Sequence, residues 1–342
     1  MNLFCDTRVY LYKLNGGIIL KKILFLLLLA IMTIFPGMAS ASLAADDFTD
    51  VSGHWAEQQI AAAASLGFMT GMGTDIQGLR VFAPDGIVSR AQLASVLQRT
   101  FQLDFGQIRF IKQPLASDYY GDADNEAWYA DSLVMCAVNN IFDTGGDFSP
   151  QRPVSRIEIA QAVYRSFNAK GISVPMIMMM PVYADTQSLT QEEMNAVVFV
   201  SNTGIMKGSN NYFCPESNLT RAELAQVLMR CISLIAINEA DNGGDLQVPA
   251  GQLFTAALRS NPSTGYAWMI KSVGDETIIK PTANTYLSDG SGEQLLVGQG
   301  GSEYWQFQAL QAGTTMLQMV YARPWESVQP AQTFTLQVTV TS

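Results

Sequence analysis

The sequence predicts a multidomain chain in which all-α helix-loop-helix repeats precede an all-β sandwich. The chain contains three copies of one Ala-rich unit with helical periodicity. After a polar, Gly-bearing break at residues 238–245, the spacing of apolar residues becomes every second position, as in a strand. With 342 residues, of which 48% are hydrophobic, the chain is long enough to form several cores.

Residues 1–41 have the features of a secretory signal peptide. Lys21 and Lys22 precede an apolar run from Ile23 to Phe35, and the small residues that follow allow cleavage after Ala41 or after Ala44. The run is shorter than the roughly 20 apolar residues that a membrane span needs. We therefore expect a secreted protein with no stable membrane span after cleavage.

The three copies align without a gap in their second halves. These read FAPDGIVSRAQLASVLQR from Phe82, FSPQRPVSRIEIAQAVYR from Phe148 and FCPESNLTRAELAQVLMR from Phe213. Before each second half, an aromatic-x-Asp start leads into an Ala-rich helical pattern that ends near Gly or Asn. Each unit is therefore predicted to be helix, loop, helix. The units span residues 46–106, 116–170 and 180–238.

The second helix of each unit has a complete start signal. A hydroxyl residue stands at the N-cap and Gln or Glu follows three residues later, which is a capping box. The N-caps are Ser89, Ser155 and Thr220. An arginine comes next in every copy, although the helix dipole disfavours a cation there. These arginines are Arg90, Arg156 and Arg221.

Two explanations of the arginines are open at the level of sequence. An anionic ligand could be held by the guanidinium together with free N–H groups of the helix start. Alternatively, the arginines could form ion pairs within the repeats. The acids available for such pairs are Asp50, Asp122 and Asp185.

The units resemble surface-layer homology (SLH) modules in their F-x-D start, HWA segment, F-x-P loop and TRAE-like helix start. The resemblance implies a pseudo-threefold bundle that binds an acidic, pyruvylated secondary cell-wall polysaccharide. The pyruvyl carboxylate suits a guanidinium. An aromatic on an Ala-rich helix can also be a core residue, and the third copy has no Trp. The implied polysaccharide-binding residues are Trp55, Ser89, Arg90, Trp128, Ser155, Arg156, Thr220 and Arg221.

Residues 244–342 read as short strands separated by turn signals. In the last strand, alternate residues from Phe334 to Val340 are apolar, and Trp305 and Phe307 alternate with glutamines. About a hundred residues of this kind predict an immunoglobulin-like sandwich with half-buried sheets. Loops at one end of such a sandwich lie close together in space.

Three loop motifs occur in this segment: NPSTGY, GQGG and RPW. Each alone is a turn, but in this order they resemble the signature loops of chagasin-type inhibitors of papain-family cysteine proteases. The resemblance implies a non-covalent wedge whose first loop enters the protease cleft beside the catalytic cysteine, while the other two brace it. The implied inhibitory residues are Asn261, Pro262, Ser263, Thr264, Gly265, Tyr266, Gly298, Gly300, Gly301, Arg323, Pro324 and Trp325.

The composition argues against several classes of function. A net charge of −10 argues against nucleic-acid binding, which needs a basic surface. The single histidine, His54, disfavours Ser-His or Cys-His catalysis and histidine metal sites. The scattered Glu293, Glu303 and Glu326 provide no evident acid pair for glycoside hydrolysis. We therefore expect no catalytic residues, no metal and no cofactor.

These expectations combine into a secreted, cell-wall or S-layer associated protein of the bacterial envelope that displays a cysteine protease inhibitor and is not an enzyme. One alternative is a structural S-layer or envelope protein, or an adhesin, without inhibitory activity. Another is a wall-attached carbohydrate-active enzyme. A protease inhibition assay distinguishes the inhibitor from the first alternative, and a sugar-cleavage assay distinguishes it from the second.

Overall fold

The computed structural model describes residues 48–342, except for residues 107, 178, 291–297 and 299. The predicted signal peptide and Glu293 lie outside the described residues. Within the described ranges, no helix is both long and apolar enough to cross a membrane. The expected combination of helices with a C-terminal β-sandwich is confirmed.

The helical part contains two α-helices in each predicted unit. A short ribbon of β1 (Gly73–Thr74) and β2 (Arg80–Val81) precedes the second helix. The second helices, α2, α4 and α6, start at the predicted N-caps, and each has a complete capping box. The helices are α1 (Glu57–Ser65), α2 (Arg90–Phe101), α3 (Ala130–Val138), α4 (Arg156–Ala169), α5 (Gln191–Asn202) and α6 (Arg221–Ile235).

Helices from neighbouring units pack against each other. α2 packs on α3, α4 on α5, and α6 on α1. The second helix of each unit thus contacts the first helix of the following unit, and the third unit returns to the first. The contacts bury Ile60, Leu93, Ile159 and Leu224 completely, in one continuous core. Removing these side chains from water is the main force that holds the units together.

The C-terminal part consists of two packed sheets. The strand order is β3-β9-β8-β5 in one sheet and β4-β7-β6 in the other. β3 pairs with β9 in parallel, and the other pairs are antiparallel. The strands are β3 (Gly244–Pro249), β4 (Leu253–Ser260), β5 (Ala267–Ser272), β6 (Ile279–Ser288), β7 (Gly301–Ala309), β8 (Gly313–Ala322) and β9 (Gln332–Thr341).

The predicted alternation of β9 is observed, since Phe334 and Val340 face the sandwich core with 1% and 2% exposure. β7 differs from the expectation of a half-buried strand. Gln306, on its outer face, is only 5% exposed and donates from Nε2 to the carbonyl oxygen of Leu66 at 3.1 Å. The helical part covers this face, and so both faces of β7 are buried.

Backbone and side-chain hydrogen bonds join the helical part to the sandwich. Ile237 donates to the carbonyl of Thr255 at 2.9 Å and accepts from the N–H of Ala257 at 2.7 Å. Gln102 donates to the Leu253 carbonyl at 2.6 Å and accepts from the N–H of the same residue. The described residues of the helical part and of the sandwich accordingly belong to one compact unit.

Candidate functional site

Three loops meet at one end of the sandwich. The side-chain amide of Asn261 donates to the Gly298 carbonyl at 3.0 Å. The Nε of Arg323 donates to the Thr264 carbonyl at 3.2 Å. The structure therefore brings together three motifs that are distant in sequence. We name them the first loop (Asn261–Tyr266), the second loop (Gly298–Gly301, of which residue 299 lies outside the described residues) and the third loop (Arg323–Trp325).

The first loop is held in one shape by its own residues. Pro262 begins a turn of 3-10 helix that ends at Thr264. The hydroxyls of Ser263 and Thr264 donate to the side-chain oxygen and the carbonyl oxygen of Asn261, both at 2.6 Å. Gly265 follows with a φ of 81°, a conformation that glycine adopts without steric cost. The loop is thus pre-organised and presents Pro262 to Thr264 to solvent.

The aromatic residues of the loops have different surroundings. Trp325 is 70% exposed, and its six-membered ring lies over Gly265. Tyr266 is partly covered, with the guanidinium of Arg323 4.7 Å from its ring centroid and the Tyr321 ring at 5.3 Å. Trp325 therefore offers a large apolar surface to a partner, whereas Tyr266 also supports the third loop.

The two strands next to the first loop are connected through one buried acid. Ser260 donates from Oγ to Oε1 of Glu303 at 2.5 Å. The N–H of Trp268 lies 3.2 and 3.3 Å from the two carboxylate oxygens of Glu303. The indole N–H of Trp268 donates to the Arg259 carbonyl at 2.9 Å. Side-chain hydrogen bonds therefore connect the end of β4 with the start of β5, the two strands that flank the first loop.

The charged residues beside the loops are paired. Arg323 lies 2.9 Å from a carboxylate oxygen of Glu326, and this hydrogen bond raises the pKa of Arg323. Arg259 binds both oxygens of Asp289, and the hydrogen bond from Arg259 lowers the pKa of that acid. Among the acids considered from sequence, Glu326 is thus paired and Glu303 is buried.

The start of each second helix is occupied by a loop of another unit. The N–H groups of Arg90 and Ala91 donate to the carbonyls of Arg152 and Pro150 at 3.0 and 2.9 Å. The expectation of free N–H groups for an anion is therefore wrong, because each unit supplies acceptors to its neighbour. The equivalent pairs are Arg156 to Ser217, Ile157 to Pro215, Arg221 to Gly86 and Ala222 to Pro84.

Two of the three arginines after the N-caps bind carbonyl oxygens. Arg221 is 5% exposed and donates to the carbonyls of Phe82 and Thr70 at 2.8 and 2.6 Å. Its burial lowers the pKa of the guanidinium to about 10. Arg156 donates from Nε to the Phe213 carbonyl at 2.9 Å. Each guanidinium also lies over the phenylalanine ring whose carbonyl it binds.

The remaining arginine, Arg90, forms an ion pair with a residue of the second unit. Its Nη1 lies 2.9 Å from Oε1 of Glu158, and its guanidinium lies over the ring of Phe148. Arg152 also binds Glu158. Burial opposes ionisation of Glu158, but hydrogen bonds from Arg152 and Ser155 outweigh it and lower the pKa of this acid.

The three aspartates considered as partners have a different role. Asp50 accepts from the N–H groups of Phe82 and Ala83 at 2.9 and 2.7 Å. Over the described ranges, none of the three acids forms an ion pair with Arg90, Arg156 or Arg221, so the expectation of ion pairs with these aspartates is wrong. The equivalent contacts are Asp122 to Phe148 and Ser149, and Asp185 to Phe213 and Cys214.

A groove of about 340 Å³ is lined mostly by the first unit, together with Trp128 and Gln151 of the second unit and Arg221 of the third. Of the residues expected to bind polysaccharide, it brings together Ser89, Trp128 and Arg221, and Arg99 adds a further guanidinium. Trp128 is 63% exposed and so is not a core residue. The other expected residues lie outside this groove, and Trp55 among them is 44% exposed. They are Trp55, Arg90, Ser155, Arg156 and Thr220.

Comparison with known proteins gives matches to both parts of the chain. A model of the "Chagasin family peptidase inhibitor I42" matches residues 247–340, and a model of the "S-layer homology domain" matches residues 47–94. Chagasin of Trypanosoma cruzi is 34% identical over 92 residues, which are 26% of this chain and 81% of chagasin.

Two further similarities are to an enzyme by sequence and to a protease inhibitor by structure. Amylopullulanase of Thermoanaerobacterium thermosulfurigenes is 26% identical over 183 residues, which are 53% of this chain but only 9% of that protein. The crystal structure of the cysteine protease inhibitor EhICP2 from Entamoeba histolytica has 26% identity and a TM-score of 0.26. The superposed region covers 31% of the present chain and 93% of EhICP2.

Through its C-terminal domain, the chain belongs to the chagasin family of peptidase inhibitors. This domain indicates cysteine protease inhibition, and the S-layer homology domain indicates anchoring at the bacterial cell surface. The two matched domains point to inhibition and anchoring, and the expectation that the protein is not an enzyme stays a prediction. The match to the S-layer homology domain ends in the first predicted unit.

Glu303 is the residue near the loops that the motifs did not identify. A signal for it exists in the sequence, since Glu303 is in phase with Trp305 and Phe307 on β7. That phase places an acid on the core face, where acids are rare unless they have partners. Its partners, Ser260 and Trp268, become evident only from the structure.

Proposed function

We propose that the C-terminal domain inhibits papain-family cysteine proteases by a non-covalent wedge of three loops. The observation that carries this proposal is the direct contact of the first loop with the other two. Gly298 accepts a hydrogen bond from the first loop, Arg323 donates one to it, and Trp325 packs on Gly265. The described residues of the three loops therefore lie close enough to contact one protease together.

The chemistry of this surface fits an inhibitor that binds and is not cleaved. The first loop enters the cleft with its exposed segment Pro262 to Thr264, beside the catalytic cysteine of the protease. Its shape is fixed before binding, which reduces the entropy lost on association. Trp325 provides the kind of exposed aromatic side chain that contributes most to protein interfaces. No bond is made or broken in this mechanism.

The test of inhibition is a titration of papain activity with the full chain. We expect tight, reversible inhibition that is lost in Thr264→Trp, because a bulky ring in the first loop cannot enter the cleft. Glu276→Trp is the matched control, since Glu276 is exposed in the β5–β6 turn at the opposite end of the sandwich. An unchanged inhibition constant in Thr264→Trp would exclude this placement of the loop.

For the helical part, we propose three SLH modules about a pseudo-threefold axis. The closed series of hydrogen bonds from each second helix to the next unit supports this arrangement. The ligand proposed for the modules is an acidic, pyruvylated secondary cell-wall polysaccharide. The groove beside Trp128 is the favoured site, because it combines an exposed aromatic ring with the guanidinium of Arg99. Sugar rings stack on such side chains, and a carboxylate pairs with the guanidinium.

A reciprocal pair of variants tests anchoring and inhibition separately. Trp128→Ala should weaken sedimentation of the full chain with purified wall polysaccharide and leave papain inhibition unchanged. Trp325→Ala should weaken papain inhibition and leave sedimentation with the polysaccharide unchanged. Polysaccharide from which the pyruvyl groups have been removed should bind less. Wall binding without inhibition of papain or its relatives would favour the structural or adhesin function, and release of sugar would indicate an enzyme.

A further inference from the structure

The first loop crosses between the two sheets of the sandwich. It leaves β4, which belongs to the three-stranded sheet, and enters β5, at the edge of the four-stranded sheet. The strands on either side of this loop therefore share no ladder of backbone hydrogen bonds, unlike those of a β-hairpin. The relative position of the two ends of the loop has to be fixed by other contacts.

Glu303 provides such a contact from a third strand. It lies near the start of β7 and is 8% exposed. Its carboxylate accepts from Ser260, the last residue of β4, at 2.5 Å. It also accepts from the N–H of Trp268, the second residue of β5, at 3.2 and 3.3 Å. One carboxylate thus joins the strand before the loop to the strand after it.

The chemical nature of Glu303 matters, because packing alone does not require an acid at this position. Leu258, its partner in the register of β4 and β7, is an apolar core residue. Burying a carboxylate has a desolvation cost that only hydrogen-bond donors offset. A leucine would avoid that cost and fill space, but it would leave the hydroxyl of Ser260 and the N–H of Trp268 without their acceptor.

We propose that Glu303 is a positioning residue for protease inhibition, which holds both ends of the first loop in the conformation that binds. The proposal rests on the inhibitory function proposed above. Glu303 does not reach the protease. It acts by restricting the first loop before the encounter, so that less conformational freedom is lost on binding.

The test compares three variants of the full chain. Glu303→Leu removes both acceptors, whereas in Glu303→Gln the amide can still accept from Trp268 and donate to the oxygen of Ser260. Thr315→Val is the matched control: Thr315 is 7% exposed and bonds Val273 and Asp275 of the β5–β6 turn, at the opposite end of the sandwich.

We expect Glu303→Leu to raise the inhibition constant for papain by about tenfold or more, because the first loop, released at both ends, then has to be ordered on binding. Glu303→Gln should recover most of this loss. Thr315→Val should lower the melting temperature by about as much as Glu303→Leu does, without changing the inhibition constant. Equal losses of inhibition in Glu303→Leu and Thr315→Val, or no loss in Glu303→Leu, would overturn the proposal.

Hydrogen exchange measured by mass spectrometry separates this inference from the proposed function. Glu303→Leu should accelerate exchange in the peptide spanning residues 260–268 whether or not the protein inhibits papain, and Thr315→Val should not. If wild type inhibits no protease but exchange in that peptide accelerates, the inhibitory function fails and the structural role of Glu303 stands. Unchanged exchange in Glu303→Leu overturns the role of Glu303 even if wild type inhibits.

Discussion

The position of Gly265 imposes two requirements that only glycine meets without strain. Its φ of 81° is in the left-handed region. A Cβ atom at this position would also lie 2.7 Å from Cη2 and 2.9 Å from Cζ2 of Trp325. The glycine therefore sets both the turn of the first loop and its contact with the third loop.

We expect Gly265→Ala to destabilise the fold by about 1–2 kcal/mol, from the backbone conformation together with displacement of the Trp325 ring. Because the ring moves, the inhibition constant should rise by about tenfold. Gly243→Ala is the control, since Gly243 has a φ of 79° and no atom within 4 Å of the added Cβ. Unfolding in urea and papain titration measure the two effects. Equal inhibition constants in the two variants would contradict the steric explanation.

At the scale of helices, Glu158 links two units. It binds Arg90, at the start of α2, while capping its own helix α4 through the N–H of Ser155. The pKa of Glu158 is lowered from 4.5, and so the stabilisation from its charge is complete above pH 4.5. It disappears as the pH falls through the lower pKa of the folded state.

We therefore expect Glu158→Gln to lose about 1.5–3 kcal/mol at pH 7, the range for hydrogen bonds to a charged group. The variant should also lose less stability than wild type on acidification from pH 5 to pH 3. Glu192→Gln removes a more exposed ion pair with Arg165 and should cost less than about 1 kcal/mol. Urea unfolding at several pH values measures both. Parallel pH curves for wild type and Glu158→Gln would contradict this role.

Local signals predicted the elements well, because capping boxes and apolar spacing depend on residues close in sequence. Ser89 and Gln92 form the expected box, and Phe334 to Val340 alternate as expected. The partners of Arg221 could not be predicted in this way, because Phe82 belongs to the first unit and Arg221 to the third. The ion-pair explanation from sequence placed the partner of the arginine within its own unit, whereas its acceptors come from another.

At the scale of the whole molecule, the sequence predicted a helical part and a sandwich but not their joint. The glutamines of β7 were expected on a solvent face, and Gln306 instead bonds the helical part through Leu66. Gln102 extends from the end of α2 to the backbone of Leu253 in β4. Because these contacts fix the sandwich on the helical part, the loops keep one orientation relative to the proposed wall-binding groove.

This joint predicts cooperative unfolding of residues 48–342. In wild type, the loss of helix followed by circular dichroism should coincide with the change in tryptophan fluorescence. The fluorescence change comes mainly from the sandwich, because Trp268 and Trp305 lose their packed surroundings on unfolding, whereas Trp55 and Trp128 of the helical part are already exposed. The double variant Gln102→Ala/Gln306→Ala removes side-chain bonds across the joint, each worth about 1 kcal/mol. We expect its two transitions to separate. Gln191→Ala, an exposed position on α5, should leave them coincident. Separate transitions in wild type would mean that the inhibitor domain and the helical part unfold independently, which would contradict the prediction.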